Sequence, residues 1–303
     1  MFLAIRNGIL VVSTLHSFVY LCNSYSFISV CSMLRNYILP AAMTCLLALL
    51  FFSCGKEDVS ENAVRLRIKL TDAAAPLLKE IYLHIESIEV QATDSTGNAG
   101  DWVSLSYSGG EYDLLKLMNG RTLQLVDQYF PAGGKIEKIR LTLGNNNRMM
   151  TVTDKSIPLE KSPNVTEYLV IHDVDATLTA HFIVSIVIDV NAALSVYEVN
   201  GNWYLDPRAR AYPETYGGSL KGYVTPLEAA PVVLITRDGD SLFSLPEGVE
   251  GMFFFSGLHE GPWKVHLFAD PESGYRDTIF MSDTIVQGSL LEITPKPISL
   301  QLQ

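Results

Sequence analysis

The chain has 303 residues, a formal charge of −11, 48% hydrophobic residues and 4 Cys. Residues 1–53 contain no Asp or Glu and only Arg6 and Arg35 as basic side chains, so everything after them carries −13. An excess of that sign repels phosphate backbones and anionic headgroups, which argues against nucleic-acid binding and against electrostatic docking on membranes.

The segment 33–53 has Arg35 near its start and an apolar run at 37–52, and Ser53-Cys54-Gly55 follows that run. A basic start, a short apolar stretch and small residues at the cut predict a secretory signal. The run falls short of the ~20 apolar residues of a comfortable transmembrane helix. Leu50-Phe51-Phe52-Ser53-Cys54 resembles a bacterial lipoprotein signal, in which the Cys after the cut receives lipid on its thiol and amine. Phe51 and Phe52 stand where that family usually has Leu and small residues, a departure familiar in Bacteroidota lipoproteins. The expected start is Met33, with residues 1–32 an over-extended beginning; the alternative is a real extra hydrophobic segment. Cys22, Cys31 and Cys45 precede the cut and Cys54 is the lipid acceptor, so no thiol remains for a disulfide, a zinc site or a nucleophile. The 250 residues after Ser53 must be held by apolar cores alone. Lys56, Glu57 and Asp58 follow the lipid Cys and resemble the export signal that sends some Bacteroidota lipoproteins to the outer face of the outer membrane. The alternative is a charged, solvated tether.

From residue 60 onward the pattern has period two, the mark of half-buried strands. Val64, Leu66, Ile68 and Leu70 alternate with Arg65, Arg67 and Lys69, predicting one apolar and one basic face. Ile81, Leu83 and Ile85 continue as Ile88 and Val90, so the phase flips at Glu86-Ser87 and predicts a bulge. Further strands are predicted at 102–105, 136–143, 149–152, 167–171 and 182–190, the last with Phe182, Val184, Ile186, Ile188 and Val190 on one face. A short helix is predicted at 114–118 or at 123–129. Turns fall at Gly97-Asn98, Gly109-Gly110, Asn119-Gly120, Gly133-Gly134 and 145–147. Prolines and a glycine pair interrupt strand and helix patterns at 206–218, which predicts a domain boundary near Glu214. Beyond it, strands are predicted around Leu220 and Val224, at 232–235, 252–255, 263–268 and 290–293, with a hairpin turn at Asp238-Gly239. The expected fold is all-β: two β-sandwich domains, immunoglobulin-like or transthyretin-like, after a lipoprotein signal. The predicted divisions are a signal region 1–53, a lipidated tether 54–63 and sandwiches at 64–213 and 214–303.

Seven short patterns recur in an order similar to that of the domain-of-unknown-function 4382 family of bacterial lipoproteins. They are Leu70-Thr71-Asp72, Trp102-Val103-Ser104-Leu105, Tyr112-Asp113-Leu114 running on to Asn119-Gly120, Phe130-Pro131-Ala132-Gly133, Ile139-Arg140-Leu141, Ile188-Asp189-Val190-Asn191-Ala192 and Tyr204-Leu205-Asp206-Pro207. The resemblance spans about residues 64–212 and implies a fold and an envelope location, without a reaction. Gly251 through Phe253, Phe255, Gly257 and Leu258, then Gly261-Pro262-Trp263, is similar to carboxypeptidase regulatory-like, transthyretin-type sandwiches. That resemblance implies that Phe253, Phe255 and Leu258 fill a core beside a turn opened by Gly257 and Gly261, with Trp263 in place of the usual Tyr, and it carries no catalytic residue.

Five His remain after the cut: His84, His172, His181, His259 and His266. His259-Glu260 runs into Gly261-Pro262, so no zinc-protease helix forms, and neither a nucleophile elbow nor a P-loop is present. His84 and His266 alternate with core residues and are expected on solvent faces. Asp173 and Asp175, expected to share a strand face beside His172, supply too few oxygens for calcium, so no metal is expected. Tyr107, Tyr112, Tyr197, Trp203, Tyr204, Tyr212 and Tyr216 lie in or near predicted loops; core packing accounts for most, and a subset near the linker is a candidate binding platform. The Asp-led triplets at Ser95, Ser241, Thr278 and Thr284 resemble the O-glycosylation signal of Bacteroidota envelope proteins. The expectation is a lipid-anchored, non-catalytic binding or adhesion protein at the outer membrane surface, without cofactor, with a glycan or protein ligand. The alternative is a structural subunit or anchor of an envelope or pilus-like assembly.

Overall fold

Alternating apolar and polar residues form strands through most of the computed structural model, which describes residues 62–75, 78–163 and 168–303. Cys54, Lys56, Glu57 and Asp58 lie outside the described residues. The first fifteen strands are β1 (Ala63–Ala73), β2 (Leu78–Thr93), β3 (Ala99–Ser104), β4 (Gly110–Asp113), β5 (Leu123–Pro131), β6 (Lys135–Leu143), β7 (Arg148–Thr151), β8 (Ser156–Pro158), β9 (Glu160–Lys161), β10 (Tyr168–Ile171), β11 (Ala176–Thr177), β12 (Ile183–Asn191), β13 (Val196–Val199), β14 (Asn202–Leu205) and β15 (Ala209–Pro213). Eight follow: β16 (Gly218–Thr225), β17 (Val232–Arg237), β18 (Asp240–Ser244), β19 (Met252–Leu258), β20 (Lys264–Phe268), β21 (Thr278–Met281), β22 (Leu290–Glu292) and β23 (Ile298–Ser299).

Two sheets of the N-terminal half share one core. The first runs β15-β12-β1-β5, with β1 and β12 parallel so that Ile68 stands beside Ile186 and Leu70 beside Ile188. The second runs β10-β6-β2-β7-β8, with β3 and β4 also on β2 and β11 on β6. Leu66, Ile68 and Leu70 of the first sheet meet Ile81, Leu83, Ile85 and Ile139 of the second, all fully buried. The expected bulge is present: Ile85 pairs with Leu143 and Ser87 with Thr142, which leaves Glu86 as the extra, exposed residue. That one-residue insertion keeps Ile85 and Ile88 on the same core face despite their odd spacing.

Three local expectations change. Of the two helix alternatives, Leu114–Leu117 forms one 3-10 turn, whereas residues 123–129 belong to β5 and pair with β1. Phe182 is exposed, because it sits in a turn whose amide bonds to the Thr179 carbonyl, one residue ahead of β12. Residues 206–218 are not broken throughout, since β15 pairs with β12. Pro207 precedes that edge strand and Pro213 ends it, so neither removes a hydrogen bond from its interior.

In the C-terminal half, β19-β16-β22 with β23 faces β18-β17-β20-β21. Leu220, Phe253 and Leu258 from one sheet and Val233, Ile235, Val265 and Leu267 from the other are fully buried around Trp263. Asp238 (φ 50°) and Gly239 (φ 99°) join β17 to β18 by the expected two-residue turn, which needs left-handed backbone at both positions.

Candidate binding cleft and the junction beneath it

The described residues belong to one compact unit, and a polar seam stitches its two cores together. Asn119 has left-handed backbone (φ 58°) ahead of Gly120, which aims its amide at the C-terminal half. Its Nδ2 donates to the Leu245 carbonyl at 2.9 Å, while Oδ1 accepts from the Ser244 hydroxyl at 2.7 Å and the Phe254 amide at 3.1 Å. Replacing Asn119 with Ala strands these groups and keeps the strained backbone, so we expect a loss of about 2 kcal/mol in a urea titration.

Arg121 donates two parallel hydrogen bonds of 2.8 Å to Glu247. The guanidinium holds the Glu247 carboxyl below its usual value. A lowered folded-state value means that this pair stabilises above the unfolded value of about 4.3 and is lost as pH falls through the lowered one. Thermal melts of Glu247→Gln should therefore show a shallower decline on acidification than wild type; identical acid limbs would refute the pairing.

Arg210, half-buried and projecting from β15, makes the seam's densest set of side-chain hydrogen bonds. Nε and Nη2 donate to Asp189 Oδ2 at 2.9 and 2.8 Å, Nη1 donates to the Gly257 carbonyl at 2.7 Å, and Nη2 also reaches the Ser256 carbonyl at 2.9 Å. Tyr212, two residues on, is buried with its hydroxyl 3.1 Å from Ser256 Oγ, and burial pushes its phenol up to about 12. Gly257 (φ 60°) has no side chain because a Cβ there would meet the Tyr212 ring at 2.3 Å.

Above this seam an open cleft of about 640 Å³ is lined by Tyr216, Gly217, Arg237, Asp238, Asp240, His259, Glu260 and Gln287. Its floor is fixed: Gln287 accepts from the Gly217 amide at 2.9 Å and donates to the Thr215 carbonyl at 2.7 Å, and Glu260 Oε1 accepts from the Gln287 amide at 2.9 Å. The Tyr216 hydroxyl lies 2.7 Å from His259 Nδ1, and the two rings meet edge to face. His259 Nε2 points toward Asp240 Oδ2, 3.9 Å away. Arg237 bonds to the Asp238 carboxylate at 3.0 Å and to the Glu260 carbonyl. The Trp263 indole donates to the His259 carbonyl at 3.0 Å, tying the rim to the core.

Of the aromatics singled out in the sequence, Tyr216 alone lines this cleft, with Tyr212 packed beneath it at a ring separation of 6.4 Å. Tyr107 and Tyr112 bond to each other at 2.8 Å against the N-terminal core, and Tyr197 stacks on Tyr204 at 5.6 Å beside the half-buried Trp203. His84 and His266 are half-buried on outer strand faces, the latter bonded to Asp277 at 3.0 Å. Asp173 and Asp175 do not share a strand face; both adopt left-handed backbone in the loop before β11, and Asp175 pairs with Lys135. Among the described residues no three His, Cys, Asp or Glu side chains converge as metal ligands.

Ser95 and Thr284 are exposed outside strands, whereas Ser241 and Thr278 are half-buried within β18 and β21. The Thr96 hydroxyl and the Asn98 amide hold the Asp94 carboxyl down to about 2. Arg237, Asp240, Glu260 and Gln287 were not legible as one site, because three separate loops and strand ends supply them.

Comparison with known proteins bears chiefly on the N-terminal half. Residues 63–207 match the family described as Domain of unknown function (DUF4382). The match covers the seven patterns that suggested this resemblance. No curated protein matches the chain. Among solved structures, the Bacillus anthracis TIE protein aligns over 78% of this chain and 34% of its own, at 10% identity and a TM-score of 0.23. This chain thus spans about a third of that protein. BcpA, the major pilin subunit of Bacillus cereus, aligns over 80% and 71%, at 7% identity and a TM-score of 0.22. The fimbrial anchor protein Mfa2 of Porphyromonas gingivalis aligns over 72% and 82%, at 11% identity and a TM-score of 0.19. Superpositions this loose carry no argument about the chain.

Proposed function

We propose that the protein is a non-catalytic binding protein of the cell envelope, held by lipid on Cys54 at the outer membrane surface. The observation that carries the binding role is the cleft at Tyr216. Its rim groups keep hydrogen-bonding capacity while Gln287 pins its floor and Trp263 holds the rim at His259, the preorganisation that lowers the entropy cost of holding a ligand. The anchor rests on the sequence of residues 33–54, and surface display on Lys56, Glu57 and Asp58. The C-terminal half is read as a carboxypeptidase regulatory-like sandwich beginning near Glu214; in support, Phe253, Leu258 and Trp263 are fully buried beside the left-handed Gly257 and Gly261. Modification of the Asp-led triplets is proposed for the exposed Ser95 and Thr284.

Display is tested by treating intact cells with protease. Wild type should be digested, and replacement of Lys56, Glu57 and Asp58 with Ala should protect the chain. Digestion of both forms only after lysis would place the protein on the periplasmic side.

A second reading, a subunit or anchor of an assembly, is favoured by β21. Among the described residues this edge strand pairs with β20 alone, and it exposes Ile279 (54%) and Met281 (58%), the kind of edge that accepts a partner strand. Self-association abolished by Met281→Lys would support it.

A further inference from the structure

Resting on the reading of the cleft as a binding site, we infer that its ligand is a neutral saccharide. The rim mixes acceptors and donors at close range. Among the described residues no group donates to the Asp240 carboxylate or to Glu260 Oε2, and Arg237 Nη2 has no acceptor while its Nε and Nη1 are engaged. His259 is oriented by the Tyr216 hydroxyl, so its Nε2 faces Asp240 across a 3.9 Å gap. That distance is too long for a direct hydrogen bond, and it leaves both atoms within reach of one hydroxyl seated beside the pair. A sugar hydroxyl donates to the carboxylate while it accepts from the imidazole, and a neighbouring hydroxyl does the same between Glu260 and Arg237.

Other ligand classes match the rim less well. Asp238, Asp240 and Glu260 outnumber Arg237, so an anionic ligand such as a phosphate meets net repulsion. A simple cation satisfies the carboxylates and leaves the Arg237 and His259 donors unpaired or opposed by like charge. Groups that donate and accept together, as the hydroxyls of a sugar do, use both kinds of rim group. The Tyr216 ring adds an apolar surface at the edge of the cleft, the partner that the C–H face of a pyranose requires.

The test uses the full chain, purified in a detergent without a sugar headgroup, against glucose, galactose, mannose, N-acetylglucosamine and their disaccharides. Saturation transfer and the His259 ring resonances are the readouts. At least one sugar should bind saturably and shift His259. Asp240→Asn should weaken it about ten-fold, the loss expected for a hydrogen bond to a charged group, and Tyr216→Phe should weaken it less by releasing His259. Both side chains are exposed, so thermal midpoints should stay at the wild-type value, which separates loss of binding from loss of fold. Unchanged affinity in Asp240→Asn would overturn the assignment. If no sugar binds but tetralysine shifts the same resonances, the saccharide inference falls and the binding reading stands. Silence from both probes defeats both.

Discussion

Replacing Arg210 with Ala is expected to cost about 3 to 5 kcal/mol of unfolding free energy, because it leaves a buried carboxylate without its partner. Asp189 keeps only 10% of its side chain exposed, and Arg210 supplies both hydrogen bonds to its Oδ2. The same change orphans the Ser256 and Gly257 carbonyls at the end of β19, so it loosens the seam from both sides. Arg210→Lys should recover only part of the loss, since an ammonium cannot span the carboxylate and two carbonyls in one plane. Urea titration decides this. A difference under about 1 kcal/mol, the range of an exposed pair, would mean that the seam does not hold the halves together.

Trp263→Ala should be comparably severe, at about 3 to 5 kcal/mol, from deletion of a fully buried indole. Trp263 packs between the two C-terminal sheets, and its Nε1 bonds to the carbonyl of His259. The variant should therefore disturb the cleft as well as the core. Trp263→Phe separates the two effects: it retains most of the buried area and removes the hydrogen bond, so stability should fall less while the His259 resonances still move. If His259 resonances match wild type in Trp263→Phe, the rim is not positioned through that bond.

Local rules were legible in the sequence wherever one residue forces the backbone. The phase slip at Glu86 could be read because the side-chain period of a strand is two, and an extra residue must be extruded to keep Ile85 and Ile88 inside. Asp238-Gly239 was legible because a two-residue hairpin demands left-handed backbone that this pair tolerates. Pro213 misled in the opposite direction: its helix- and strand-breaking character applies to interior positions, and it ends an edge strand.

The seam and the cleft were hidden for a different reason. Asn119 reaches Leu245 and Phe254, and Arg210 reaches Gly257, across more than 40 residues of chain, with no spacing rule connecting them. His259 drew notice only as half of a failed zinc-helix motif; what gives it a role is the Tyr216 hydroxyl that turns its ring toward Asp240. Tyr216 itself stood out as an aromatic beside the linker. One faint signal was the Gly257 and Gly261 pair, where Gly257 makes room for the Tyr212 ring and Gly261 for the Arg237 side chain.

The claim on which the rest depends is that the protein acts from a lipid anchor on the envelope. Metabolic labelling with an alkyne fatty acid, followed by membrane fractionation of wild type and Cys54→Ala, tests it most directly. The account predicts label and membrane retention for wild type, and an unlabelled, soluble chain for Cys54→Ala. Equal incorporation of label by the two forms would contradict it.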